Sequence, residues 1–259
     1  MEMDKLLNQN FNNQILLNDC NIELIRSSQF SGAYIAANRR LYGYIPNNAI
    51  FKKILKESIK GFPLIKIGDS GDKLMIVSGV HGNELPPQLA SLYLINYLLS
   101  TEIKGTVYII PFAAPNATMN NSRSFKGMDL NRSTLIEGSI TNKIFEIIKD
   151  ENIKAVGDFH STGVNSTPGI ESVFSSSNPT VESYNIGQFI SRNVGSKLLN
   201  YPKAGDNYKG ALEDECNLAG IPSVTCEVLS PFSYLKKGAH ERSLLQMYSF
   251  LSYFNIFND

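Results

Sequence analysis

Apolar positions change their spacing several times along the chain. From Ile50 to Ile59 they fall at 50, 51, 54, 55 and 59, the spacing of one helical face. From Pro63 onward short apolar runs alternate with longer helical stretches. Leu74 to Val77 is a continuous run of buried-strand length. Glu84 to Leu99 follows as a helix, with Pro86 and Pro87 in its first turn, where a missing N–H costs little. Thr106 to Phe112, Ile153 to Phe159 and Ser223 to Val228 read as further strands. Ile140 to Ile148, Val181 to Val194, Ala211 to Ala219 and Ala239 to Phe254 read as helices, and Gly220 with Pro222 ends the third of these. Strands alternating with helices of about ten residues or more imply an α/β protein. Its layers should be three, a mixed, largely parallel sheet with helices on both faces. Residues 1–60 are rich in Asn, carry irregular apolar clusters and read as an N-terminal lead-in. With no repeat, low-complexity segment or linker in view, 1–259 is expected to be one domain.

Composition narrows the function. The 259 residues hold 24 Lys+Arg against 24 Asp+Glu, which gives no electrostatic reason to expect nucleic acid or an anionic membrane. A chain of this length buries enough surface to fold without disulfides or a structural metal. The start, Met1 to Asn8, lacks the basic and apolar regions of a secretory signal. The longest apolar stretch, Leu89 to Leu99, is interrupted by Ser91 and Asn96 and is far too short to span a bilayer. Cys20, Cys216 and Cys226 are odd in number and show no CxxC, which fits free, buried thiols in a reducing compartment. A cytoplasmic protein is expected.

The histidines are His81, His160 and His240. His81 lies in Gly79-Val80-His81-Gly82-Asn83-Glu84, just after the first apolar strand. A His and a Glu three apart across a strand-to-helix turn can aim a nitrogen and a carboxylate at one point, which suits zinc. HxxE is also a common accident, and a capping or turn histidine stands beside that reading. His160 ends the strand Ile153–Phe159, and ligand sites in open α/β sheets lie beyond the carboxyl ends of strands. Asp158, two residues earlier on the same face, can orient such a ligand or be an ordinary polar strand end. Glu227 is an acid inside the apolar run Ser223–Val228. Burial would raise its pKa, as a general base requires. Arg123 and Arg132 lie in the polar segment Asn120–Arg132. Their planar forks match a carboxylate or a developing oxyanion, although a solvated loop with Asp129 paired to Arg132 is the plainer reading.

Four ordered motifs then become recognisable: His81-Gly82-Asn83-Glu84, Asp129-Leu130-Asn131-Arg132, Asp158-Phe159-His160-Ser161-Thr162 and Thr225-Cys226-Glu227. Together they resemble the zinc carboxypeptidase superfamily, closest to its succinylglutamate desuccinylase/aspartoacylase branch, over roughly Pro63 to Val228. The resemblance implies a zinc-carboxypeptidase-like fold with one zinc ion per chain, held by His81, Glu84 and His160. It implies Glu227 as the catalytic carboxylate and Arg123 polarising the scissile carbonyl. It implies Asn131 and Arg132 gripping a substrate carboxylate, with Tyr208 covering the substrate.

The larger deacylases of that branch carry a β-rich C-terminal domain, whereas about thirty residues follow Glu227 here. That departure pulls the expectation toward a more open site. The expected function is a zinc-dependent hydrolase that cleaves an amide bond near a free carboxylate, metallocarboxypeptidase-like on small peptides. An N-acyl-amino-acid deacylase is the near rival, and a non-catalytic binding protein on the same scaffold a distant one. A serine hydrolase would need a base for Ser161, but the chain has no GxSxG elbow and His240 is its spare histidine.

Overall fold

The first apolar run does become a strand with two buried faces. In a computed structural model, which describes residues 2–9, 11, 21–25 and 30–257, Leu74 and Ile76 face one hydrophobic cluster while Met75 and Val77 face another. The elements in chain order are α1 (Glu2–Leu7), β1 (Asn21–Ile25), α2 (Arg39–Tyr42), α3 (Ala49–Glu57), β2 (Phe62–Ile67), β3 (Lys73–Ser78), α4 (Leu85–Leu98), β4 (Thr106–Ile110), α5 (Pro115–Met119), α6 (Ile140–Asp150), β5 (Ala155–Thr162), β6 (Ser172–Ser176), α7 (Val181–Val194), β7 (Lys197–Tyr201), α8 (Leu212–Leu218), β8 (Ser223–Leu229) and α9 (Ala239–Tyr253). One-turn 3-10 helices occupy Ile35–Ala37 and Leu130–Arg132. The strands form one eight-stranded sheet in the order β1-β2-β4-β3-β5-β8-β6-β7. Its centre, β4-β3-β5-β8, is parallel, and β6-β7 is parallel at one edge. Antiparallel pairing joins β1 to β2, β2 to β4 and β6 to β8.

The two clusters are the two sides of the sheet. Residues of α3, α4, α7 and α9 fill one, and residues of α5, α6 and α8 fill the other. The three-layer α/β expectation therefore holds. Helix α4 lies between the sheet and α9, so it is apolar nearly all round and buried along almost its whole length.

Several expected boundaries move. The strand expected at Ile153–Phe159 runs on to Thr162, so His160 sits inside β5 rather than after it. The strand expected to reach Phe112 stops at Ile110. Four strands escape the sequence pattern, β1 (NIELI), β2 (FPLIKI), β6 (SVFSS) and β7 (KLLNY), as does the short α2, whereas α3 realises the helical spacing that begins at Ile50 and makes the expected lead-in an ordinary part of the fold. Cys216 and Cys226 are buried free thiols; Cys20 lies outside the described residues. Among the described residues no helix is long and apolar enough to cross a membrane.

Candidate metal centre

The loop between β3 and α4 is set by two glycines. Gly79 takes φ +74°, a conformation costly for other residues. Gly82 lies so close to α5 that a Cβ there would stand 2.1 Å from the Ala117 carbonyl carbon. The buried Gln88 ties the loop down, donating to the Gly82 carbonyl at 3.1 Å and the Glu84 carbonyl at 2.9 Å while accepting from the Thr118 hydroxyl at 2.9 Å.

This anchoring aims His81 and Glu84 at His160. Nδ1 of His81 lies 2.8 Å from one Glu84 carboxylate oxygen, and Nδ1 of His160 lies 2.8 Å from the other. The Ser161 N–H donates to that second oxygen at 3.0 Å. One ligand atom from each of the three residues falls within 4.8 Å of the others, and all three side chains are buried.

The outer nitrogens meet carboxylates. Nε2 of His81 is 2.9 Å from Asp129 Oδ1, and Nε2 of His160 is 3.0 Å from Asp158 Oδ2. Asp129 therefore does not pair with Arg132, as the plain reading of the loop had it. It takes His81, the Asn131 N–H at 3.0 Å and Arg123 at 3.2 Å. Arg123 also reaches within 3.5 Å of Glu84 and is half exposed. Burial pushes the Glu84 carboxyl up, but the charges and hydrogen bonds of His81 and His160 outweigh it and hold Glu84 well below the usual carboxylate range. Asp129 follows the same logic, with burial opposed by His81 and Arg123. Burial lowers His160, yet Asp158 and Glu84 raise it well above the ordinary histidine value.

These residues fit zinc. A proton on Nε2 of His81, donated to Asp129, leaves that ring's Nδ1 lone pair turned toward Glu84, and Nδ1 of His160 faces the same carboxylate while its Nε2 lies 3.0 Å from Asp158. Two imidazole nitrogens and one carboxylate form a three-residue donor set of the catalytic type.

Glu227 stands next to this centre because β5 and β8 pair in register, His160 opposite Glu227 and Asp158 opposite Thr225. Glu227 Oε2 is buried with no hydrogen-bond partner among the described residues. Burial and the Glu84 charge push its carboxyl well above the ordinary range, against the pull of His160 and Arg123. Arg132, Asn131 and Tyr208 line the same cleft as His81, Glu84 and Glu227. The Leu130–Arg132 turn packs on Gly210, whose φ is +85° and where a Cβ would stand 2.5 Å from the Arg132 carbonyl oxygen. That close approach sets the Arg132 guanidinium over the Tyr208 ring, 5.2 Å from its centroid. Tyr208 leans edge-on against Phe174 at 5.6 Å. The eight residues given metal, catalytic or substrate roles in the sequence thus lie at one cleft or its buried wall. His240 does not: it packs on Tyr93 and pairs with Glu241.

Residues 70–169 match the model of the succinylglutamate desuccinylase/aspartoacylase catalytic domain, a span that carries the three metal-centre residues, Arg123, Asn131 and Arg132. The likeness to the zinc carboxypeptidase superfamily is borne out. Among solved structures the fold resembles an aspartoacylase family protein from Mesorhizobium loti, with 19% identity and a TM-score of 0.60 over 76% of this chain. It also resembles the product-bound ectoine utilization protein EutE (DoeB) from Ruegeria pomeroyi, at 15% identity and a TM-score of 0.62 over 76% of this chain. A metallo-carboxypeptidase from Pseudomonas aeruginosa in complex with (2-guanidinoethylmercapto)succinic acid matches at 15% identity and a TM-score of 0.58 over 74% of this chain. The matches cover 62% of the first two neighbours and 60% of the third. No curated protein sequence matches significantly.

Three features of this superfamily-like cleft escaped the sequence reading. Gln88 is hidden in the first turns of α4, where it looks like ordinary helix polarity. Phe174 lies on a strand the pattern did not reveal. Glu213, in the run Glu213-Asp214-Glu215, reads as a solvated helix start but is buried and lines the cleft; only the apolar residues around it hinted otherwise.

Proposed function

We propose that the protein is a zinc-dependent hydrolase that cleaves an amide bond next to a residue bearing a free carboxylate, acting on small peptides in the manner of a carboxypeptidase. The observation that carries this reading is the convergence of the two Nδ1 atoms on Glu84, with the unpartnered carboxyl of Glu227 in the same cleft. His81, Glu84 and His160 would hold one zinc ion. When bound, zinc supplies Lewis-acid polarisation of the carbonyl and a water nucleophile at neutral pH. The chain's own groups do the rest. Glu227 removes a proton from the attacking water and returns it to the leaving amine, a role that suits a carboxyl whose pKa is raised. The Arg123 fork donates to the carbonyl oxygen as negative charge builds there. Arg132, assisted by Asn131, grips the substrate carboxylate, and Tyr208 forms a wall over the bound residue. The whole chain is read as one such domain working in the cytoplasm.

The family model favours a second reading, N-acyl-amino-acid deacylation, in which the same Arg132 holds the product amino acid. The carboxypeptidase neighbour's bound succinic acid derivative is a carboxylate ligand of the kind either reading needs. Screening the zinc-loaded protein against short peptides and N-acyl amino acids side by side tests both. Peptides cleaved from the carboxyl end support the first reading and exclusive deacylation the second. Turnover that persists fully in a chelator refutes both.

A further inference from the structure

The cleft continues past Phe232 into a rim built by two segments far apart in sequence. Residues 230–234 follow β8 and are pinned at two points: the Ser230 N–H donates to the Thr162 carbonyl at 3.0 Å, and the Ser233 N–H to the Asn83 carbonyl at 2.7 Å. Phe232, between them, lines the cleft. Helix α2 packs beside this segment. Its capping residue Asn38 donates to the Thr118 carbonyl at 2.7 Å and to Asn121 at 3.1 Å, two residues before Arg123. Arg40 lies 4.8 Å from the centre of the Tyr234 ring and donates to the Ser233 carbonyl at 3.4 Å. So α2 links the segment that carries Phe232 to the one that carries Arg123. This rim has one sign of charge. Residues 30–44 and 230–238 contain Arg39, Arg40, Lys236 and Lys237 and no acid, in a chain whose formal net charge is zero. All four cations are exposed, and among the described residues none pairs with a carboxylate. Tyr234 beside them is 56% exposed.

We propose that this basic, aromatic rim holds the N-terminal part of a peptide substrate and favours acidic side chains upstream of the cleaved bond. This rests on the peptide reading above, in which Arg132 holds the carboxyl-terminal residue. Strand order gives the direction. Helix α5, to which Asn38 ties the rim, follows β4, and Asn83 follows β3, whereas Phe174 beside Tyr208 belongs to β6. In the order β4-β3-β5-β8-β6 the rim and the Arg132–Tyr208 wall therefore flank β5, the strand of His160, on opposite sides. A residue gripped by Arg132, with its amide bond at the metal centre, sends the rest of its chain away from Tyr208, over Phe232 and toward Arg40. Two aromatic rings there offer apolar surface to the extended chain, and four cations attract Glu or Asp side chains and repel Lys and Arg. An acetyl- or succinyl-sized acyl group is too short to use all of this surface, so the rim separates peptides from simple N-acyl amino acids. Exposed ion pairs are individually weak and screened by salt, so the preference is modest and depends on ionic strength.

The test uses zinc-loaded protein and peptides that end in the same two residues, with Glu-Glu, Gln-Gln or Lys-Lys placed before them. In the wild type at low salt, kcat/KM for the Glu-Glu peptide should exceed that for Gln-Gln by about fivefold or more, the scale of several exposed pairs acting together. Lys-Lys should be poorest. The advantage should shrink toward one in about 1 M salt, where screening acts over ~3 Å. The triple variant Arg39→Gln, Lys236→Gln, Lys237→Gln replaces exposed side chains that make no hydrogen bond or ion pair among the described residues, so it should fold. Its Glu-to-Gln ratio at low salt should fall to near one, with the change carried in KM. Equal or reversed preference in the wild type, or an unchanged ratio in the triple variant, overturns the proposal. If no peptide is cleaved, calorimetry of the same three peptides separates the two ideas. Tighter Glu-Glu binding that the triple variant loses keeps the rim while the peptidase reading fails, and equal or absent binding of all three overturns the rim as well.

Discussion

Replacing Asp129 by asparagine isolates what a carboxylate contributes to His81. The Asp129 oxygen 2.9 Å from Nε2 fixes the ring's tautomer and makes Nδ1 a better donor, and the same side chain takes the Asn131 N–H and Arg123. An amide in its place would keep an oxygen for one of these partners and lose the negative charge for all of them. Removing such an outer partner typically weakens metal binding by about 10–100-fold, or roughly 1.4–2.7 kcal/mol. Here the upper half of that range is expected, because three partners share the one carboxylate. The assay is competitive zinc binding against a chromophoric chelator, with urea unfolding of the zinc-free protein as control. Asp129→Asn should weaken zinc binding by about 30–100-fold while costing about 1 kcal/mol or less of zinc-free stability. Zinc affinity within about twofold of wild type would refute the idea that Asp129 acts through His81. An equally large loss of zinc-free stability would instead make it a folding residue.

Gly82→Ala would drive a methyl into the backbone of α5; about 1–3 kcal/mol of stability should be lost by urea denaturation, with weaker zinc binding, and an unperturbed variant would mean the loop is not seated there. Glu227→Gln should keep one zinc per chain but lose about 10²–10⁴-fold in kcat, since an amide cannot accept the proton; full turnover with stoichiometric zinc would remove Glu227 as the base. Arg132→Ala should cost acid-ended substrates about 1.5–3 kcal/mol in kcat/KM and leave their amides little changed. Equal kcat/KM for acid and amide in the wild type would remove the carboxylate from the account.

The strand Leu74–Val77 was legible because it is buried on both faces and reads as an unbroken apolar run, and Ser223–Val228 because its alternate residues Val224, Cys226 and Val228 are buried. Helices α6 and α7 were legible from their one-sided periodicity. By contrast, β6 holds three serines in five residues, all buried, so its sequence looks like a turn until β7 and β8 flank it. In the centre itself, His81 and Glu84 are neighbours in sequence, but the contact of His160 Nδ1 with the Glu84 carboxylate spans 76 positions and that of His81 with Asp129 spans 48. Spacing rules do not reach that far. The motif Asp129–Arg132 suggested a local ion pair, and the fold instead turns Asp129 inward and Arg132 toward Tyr208. Glu213 was illegible for the opposite reason: three acids in a row look solvated, and only packing reveals that one of them borders a cleft.

The central claim is that turnover needs one zinc ion on His81, Glu84 and His160. Protein stripped by a chelator should be titrated with zinc while hydrolysis of an active substrate from the peptide and N-acyl-amino-acid panel is followed. The account predicts a rate near zero without metal, rising linearly to a break at about one zinc per chain. His160→Ala should show neither the break nor the activity. A stripped protein that hydrolyses at full rate, or a His160→Ala variant that still saturates at one zinc with normal turnover, would contradict it.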